Sequence, residues 1–259
     1  MTCVKRLYIL LSGFEILPKS VSTRNRGEAF ILSSPVCVYV LDTDRGPVLF
    51  DTGINTDNLR DPVRAHEHYT SRGWLTPPIV LPEHELLPQL EAIGLRPRDI
   101  QDVVLSHTHC DHVGNLKHFQ HARVWIQKLE YDYAFSDHGN YAVFRADYDF
   151  PGIDWRIMDG DWDLMPGIRC LLTRGHMPGH QSMIVELPKC GTKILVADAG
   201  DLAENFDEEL LPGETCDDPA ALASLRRLKK IRDDTGGELV LFHDPVYVER
   251  LQLAPAYYE

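Results

Sequence analysis

The sequence predicts an α/β fold of four layers, an αββα sandwich in which two sheets pack face to face between helices. Three observations predict it. Short runs rich in β-branched and aromatic residues fall into two groups, one before and one after the middle of the chain. Helical stretches flank each group. No internal repeat, low-complexity tract or linker divides them, so residues 1–259 read as a single domain, and 44% hydrophobic residues suffice for its core.

The elements follow in order. A strand is expected over residues 4–11. The opening "MTCVKRLYILLSGFEIL" has a basic pair and an apolar run, but Glu15 ends the run and no small-residue cleavage site follows, so it reads as a strand and not as a signal peptide. A second strand is expected over 35–41, a hairpin turn at "DTDRG" (42–46), and a returning strand over 47–50. The polar stretch 54–80 reads as a loop of the length that makes lids and binding loops. Its His66, Glu67 and His68 read as solvated. Pro82 opens a helix expected to run to residue 93, with Gly94 as its stop. Strands are expected at 102–106, 123–127, 168–173, 181–187, 193–197 and 238–242. A long helix is expected over 218–235, opened by Asp218-Pro219 and closed by Gly236-Gly237.

Charge narrows the function classes. With 39 acidic and 26 basic residues the formal charge is −13. The densest basic cluster, Arg226-Arg227-Leu228-Lys229-Lys230, lies within the long helix and reads as a solvated face. Nucleic-acid binding is therefore not expected. No apolar run is long enough to cross a membrane. Six cysteines without CxxC spacing, in a chain this long, read as free thiols in a reducing cytoplasm.

The chemistry concentrates at "SHTHCDHVG" (106–114). His107 and His109 stand two apart, so in an extended segment both imidazoles face one way and can meet one ion. Asp111 and His112 follow after the chain turns and can face a second. Imidazole and carboxylate are ordinary zinc ligands, usually four to an ion, so this loop alone cannot satisfy two ions. Three candidates occur further on, each just past an expected strand: His176 in "TRGHMPGH", Asp198 in "ILVADAG" and His243 in "LVLFHDP". An aspartate can bridge two ions with its two oxygens.

These residues resemble the HxHxDH…H…D…H signature of the metallo-β-lactamase superfamily, with "DTG" at 51–53 as the strand end that usually precedes it. The likeness runs the whole chain and is strongest to the N-acyl homoserine lactonase branch, through "PVCVYVLDTDRGPVLFDTG", "DGDWDLMPGIRCLLTRGHMPGHQS" and "ADAGDLAENF". The resemblance implies the metallo-β-lactamase fold and a dinuclear zinc site; cobalt, manganese or iron suit the same ligands. One ion would take His107, His109 and His176. The other would take Asp111, His112 and His243, with Asp198 bridging. It implies an enzyme that opens a lactone ring with a hydroxide shared by the ions, most readily the ring of an N-acyl homoserine lactone, and with Asp111 passing a proton to the leaving alkoxide.

The same resemblance frames the neighbours. Asp51 is either a strand-end cap or a hydrogen-bond partner that steadies the ligand loop. His180 reads as structural and Cys110 as a bystander between ligands. The lactonases carry a tyrosine three residues after the bridging aspartate, where its hydroxyl approaches the substrate carbonyl; here that place is taken by Asp201, expected to face the pocket. Either another group, such as Tyr69 of the lid or a histidine, donates in its stead, or the substrate differs. The alternatives are a hydrolase of another small lactone or γ-lactam, then a thioester hydrolase, then a non-enzymatic metal-binding protein. Trp74, Leu75, Ile79 and Val80 would cover the substrate or form a homodimer contact.

Overall fold

The computed structural model describes residues 2–137 and 139–259. Two sheets carry the architecture. The first orders β1 (Val4–Pro18), β2 (Ile31–Thr43), β3 (Val48–Phe50), β4 (Asp102–Val104), β5 (Arg123–Gln127) and β6 (Asp154–Met158). The second orders β11 (Glu238–Val240), β10 (Gly191–Leu195), β9 (Gln181–Leu187), β8 (Ile168–Leu172) and β7 (Trp162–Met165).

Period-two side chains sort the first sheet into two faces. Leu7, Ile9, Tyr39 and Leu41 point inward and meet Ile168, Met183, Val185 and Leu195 of the second sheet in one buried cluster. Tyr8, Leu10, Val38 and Val40 point outward and are covered by Leu86, Leu90, Leu116 and Phe119. The far face of the second sheet packs Ile194 and Val196 against Leu225 and Leu228 of the helix Asp218–Thr235. The four layers are thus helix, sheet, sheet, helix, as expected. That helix has the expected bounds: Asp217 caps it by accepting from the Ala220 amide at 3.0 Å, and Gly236 leaves it with φ 64°.

Three expectations need correction. The first two strands are longer than expected, because Val4–Pro18 and Ile31–Thr43 pair antiparallel along nearly their whole length, through Glu15 opposite Ser34. The helix expected from 82 to 93 is broken. Pro82–His84 forms one 3₁₀ turn and Leu86–Ala92 a separate helix. Pro88 is the reason: in one continuous helix it would lack the amide proton for the His84 carbonyl and its ring would clash there. That carbonyl instead accepts from the Gln89 side chain at 2.9 Å. Finally, the stretch 54–80 is not a plain loop. Asp61 accepts from the Val63 and Arg64 amides and, with Pro62 behind it, starts the helix Pro62–His68. β6, β7 and the helix Lys128–Ala134 were not anticipated.

The 54–80 segment is fastened near its start by a buried carboxylate. Asp147 is 3% exposed; its Oδ1 accepts from the Asn55 amide at 2.7 Å, and its Oδ2 has no partner. Burial pushes its carboxyl up to about 6, against the pull of Asn55. The folded state therefore holds a proton that the unfolded chain gives up lower on the pH scale. Stability on this account is lost as pH rises from near 4 through 6, a penalty on the order of 3 kcal/mol at neutral pH. Asp147→Asn is expected to gain more thermal stability over the parent at pH 7.5 than at pH 4.5. An equal difference at both would show that Asp147 does not titrate this way.

Candidate metal centre

Parallel strands deliver their ends to one edge of the sandwich. β3, β4 and β5 run parallel, and β10 and β11 run parallel in the other sheet. Past β4 lies His107, past β8 His176, past β10 Asp198 and past β11 His243. The fold brings all seven expected residues together, and every one is buried. Potential ligand atoms of His107, His109, His176 and Asp198 lie within 4.8 Å of one another, as do those of Asp111, His112 and His243.

The spacing suits metal. His176 Nε2 stands 3.3 Å from His107 Nε2 and 3.0 Å from His109 Nδ1. Ligands held about 2 Å from a tetrahedral zinc stand about 3.3 Å apart. Asp198 reaches both groups: Oδ1 lies 3.2 Å from His112 Nε2, while Oδ2 lies 3.4 Å from His243 Nε2, 3.5 Å from His176 Nε2 and 3.8 Å from His107 Nε2. Buried His112 Nε2 and Asp198 Oδ1 face each other at 3.2 Å, yet neither makes a hydrogen bond among the described residues. Orphaned polar atoms are costly in a protein interior, and a cation between them would satisfy both.

The electrostatics agree. Burial pushes His109 down to about 3 and His107 well below its ordinary value, so both rings are neutral donors. His243 goes up to about 10: burial opposes its charge, but Asp198, Asp201 and Asp111 prevail. For His112 likewise, burial is outweighed by Asp111, Asp198 and Asp51, and the ring is pushed well up. The cluster attracts positive charge.

Supporting groups fix the rings from behind. Asp51 resolves as a partner of the ligand loop. Its Oδ2 accepts from His112 Nδ1 at 2.9 Å and its Oδ1 from the Ser106 amide at 2.7 Å. Its φ of 63° is a strained value for a non-glycine residue, the kind that clusters at functional sites. His243 Nδ1 donates to the Pro35 carbonyl at 2.9 Å, and His176 Nδ1 to that of Glu214 at 2.9 Å. His180 is structural, as expected: its Nδ1 donates to the Thr173 carbonyl, and its Nε2 accepts from the Asp198 amide at 3.0 Å. Cys110 is buried beside Tyr69 and Phe144, with its Sγ within 4.8 Å of carboxylate oxygens of Glu15 and Asp111, and it is not among the residues lining the cavity.

Sequence reasoning missed Glu130. It is fully buried and accepts from the Thr108 amide (2.9 Å), the Thr108 hydroxyl (2.7 Å) and the Gly179 amide (3.1 Å), tying the 107–112 loop to the 176–180 loop. Nothing in "QKLEYDY" marks it, since its partners are two backbone amides and one threonine hydroxyl, all remote in sequence.

The centre floors a cavity of about 380 Å³. Trp74 and Leu75 line it, whereas Val80 packs against the core and Ile79 bridges to Phe14. Asp201 faces the cavity, as expected, and is 7% exposed. Tyr69 does not stand in for the missing tyrosine. It is fully buried against Cys110, Phe144 and Trp74, away from the cavity wall. The tyrosine on that wall is Tyr141.

Comparisons with known proteins agree with this geometry. The family model for the metallo-beta-lactamase superfamily matches residues 34–243. An N-acyl homoserine lactonase of Bacillus cereus is 32% identical over 88% of this chain and 88% of its own. The N-acyl homoserine lactonase AttM of Azorhizobium caulinodans is 30% identical over 98% of each. Among solved structures, an N-acyl homoserine lactone hydrolase with N-hexanoyl-L-homoserine bound at its catalytic metal center superposes with a TM-score of 0.89, at 28% identity and covering 100% of both chains. With its two packed sheets, its seven-residue cluster at one edge and a family match across most of its length, this chain belongs to the metallo-beta-lactamase superfamily.

Proposed function

We propose that this protein is a metal-dependent hydrolase that opens the ester ring of N-acyl homoserine lactones. The observation that carries the reading is the orphaned pair His112 Nε2 and Asp198 Oδ1 amid converging imidazoles on the floor of a covered cavity. The names of its relatives support the substrate class. We assign one zinc to His107, His109 and His176 and a second to Asp111, His112 and His243, with Asp198 shared between them. Such ions, when bound, polarise an ester carbonyl and make water acidic enough to react at neutral pH.

The chain does the rest. Asp51 and Pro35 hold the rings of His112 and His243 in place. Trp74 and Leu75 shield the reacting bond from bulk water. Asp111, whose Oδ2 lies 3.2 Å from His112 Nε2 and 3.6 Å from His243 Nε2, takes the proton of the attacking water and returns it to the ring oxygen as the C–O bond breaks. Asp201 faces the substrate from the wall. The six cysteines are all free, which fits the reducing cytoplasm; no helix among the described residues is long and apolar enough to cross a membrane.

The test combines elemental analysis with a pH-indicator assay on lactones, lactams and thioesters. About two ions per chain are expected, with ring opening of N-acyl homoserine lactones. Asp201→Asn should keep the metal and change kcat/KM, because asparagine removes the charge and adds a donor. Loss of metal in that variant would make Asp201 a ligand. Turnover of thioesters or lactams alone would overturn the lactone assignment.

A further inference from the structure

The imidazoles of the centre differ in what supports them. His112 leans on Asp51 directly after β3, and His243 on the Pro35 carbonyl within β2, both parts of the first sheet. His176 instead donates through Nδ1 to the Glu214 carbonyl at 2.9 Å. Glu214 lies in residues 208–217, which join the helices Ala203–Asp207 and Asp218–Thr235 without regular structure. Such a segment has no ladder of its own to fix its carbonyls, so another part of the chain must.

That part is the turn after β1, from the other end of the sequence. The Gly213 amide donates to the Val21 carbonyl at 2.8 Å, and the Arg24 amide to the Leu211 carbonyl at 2.9 Å. The contact is tight. A Cβ on Gly213 would sit 2.0 Å from the Ser20 carbonyl oxygen and 2.9 Å from that of Val21, both backbone atoms. The Arg24 guanidinium then spans the segment: it donates to the Gly213 carbonyl at 3.4 Å, to the Thr215 hydroxyl and to the Asp218 carboxylate, which brackets Glu214 on both sides. Nearby Arg26 pairs instead with Glu208 at 2.8 Å and Glu204 at 3.3 Å, well before Glu214. An ion pair as open to solvent as Arg24–Asp218 adds little to stability. What this arginine supplies is direction, because its planar fork holds several acceptors in a fixed relation.

We propose that Gly213 and Arg24 are positioning residues for the His107, His109 and His176 side of the metal centre: they fix the Glu214 carbonyl, which keeps the His176 ring protonated at Nδ1 and its Nε2 free to bind. The inference rests on the two-ion assignment above and concerns one of the two ions. Which nitrogen of an imidazole carries the proton is set by the hydrogen bond of the other. A ring released from its carbonyl exchanges that proton between both nitrogens and offers Nε2 only part of the time. Asp51 and Pro35 are untouched by such a release, so the Asp111, His112 and His243 side keeps its aim.

Two measurements test this, and neither is turnover. In the first, a competing chelator withdraws zinc stepwise from the parent, from Arg24→Ala and Gly213→Ala, and from the control Arg26→Ala. Arg24→Ala and Gly213→Ala should each weaken one ion by about tenfold or more and leave the other within about threefold, while Arg26→Ala matches the parent. In a His176→Ala background, Arg24→Ala should change nothing further, as befits residues that act through one another. The second measurement is nitrogen NMR of the histidine rings in metal-free protein. The parent should show His176 protonated at Nδ1 alone, and both variants a mixture of tautomers. Equal weakening of the two ions, unchanged affinity or an unchanged tautomer in Arg24→Ala, or the same loss in Arg26→Ala overturns the inference. If Gly213→Ala does not fold, Arg24→Ala decides. A parent that takes up no second ion sinks the two-ion assignment, and the tautomer measurement then decides the positioning role by itself.

Discussion

Replacing Asp198 with alanine is expected to drop metal content to one ion per chain or fewer and to lower kcat/KM roughly a thousandfold or more. The expectation follows from reach. Asp198 alone approaches imidazoles of both groups, with separations of 3.2 to 3.8 Å. Its backbone is held independently, because the His180 ring accepts from the Asp198 amide. Alanine keeps that hydrogen bond, so the turn Ala197–Ala199 should survive and the loss should be confined to the centre. Elemental analysis, thermal unfolding and lactone kinetics on one preparation separate the effects. Wild-type metal content with wild-type activity would remove Asp198 from the centre. A collapse of thermal stability far beyond that of metal-stripped parent would recast it as a folding residue.

The second large effect is structural. A Cβ on Gly114 would sit 2.3 Å from the Asn55 amide nitrogen, 2.6 Å from the Gly53 carbonyl oxygen and 2.8 Å from the Ile54 carbonyl carbon. All three atoms are backbone, so no side chain can swing aside. The close approach is the seam along which the ligand loop docks: the Gly114 amide donates to Gly53 O at 2.9 Å and the Thr52 amide to His112 O at 2.6 Å. Gly114→Ala is therefore expected to cost about 3 kcal/mol, near the upper end for overpacking, which lowers Tm by roughly 6–12 °C in a chain of this size. Because the seam sets where His112 lies, metal content should fall with it. An unchanged Tm would mean that the 51–55 segment yields freely.

Much of this could be read from the chain, and the pattern of what could not is physical. The seven-residue cluster is legible because metal chemistry restricts residue type and the fold restricts place. HxHxDH is local, and His176, Asp198 and His243 each follow an apolar strand at the same edge. The layers are legible because β1 and β2 carry continuous runs of β-branched, aromatic and aliphatic residues, as strands buried on both faces do. Failures came where one residue type serves against its ordinary habit. Glu15 reads as the end of an apolar run, since a charge is costly inside a strand; β1 continues past it because at that point the strand borders the cavity. Glu130 had no signal, because a carboxylate that accepts from backbone amides leaves no partner residue in the sequence. β7 carries only four residues and β6 five, mostly exposed or half-buried, which leaves no clean alternation to read.

The placement of the seven residues at strand ends has a consequence for how the protein matures. His107, His109, Asp111 and His112 leave the first sheet, whereas His176, Asp198 and His243 leave the second. No contiguous piece of chain shorter than 107–243 contains them all. On the proposed assignment, a nascent chain that has completed only the first sheet would present half of each site and would hold an ion loosely. Tight capture waits until the sheets have docked face to face, because binding energy and folding energy are then the same quantity. In the proposed two-ion centre metal would bind too weakly to seed the early steps of folding, and long-range docking of this kind is slow. What it can do is lock the final one, so that a fully loaded molecule is one whose two halves have met in the correct register.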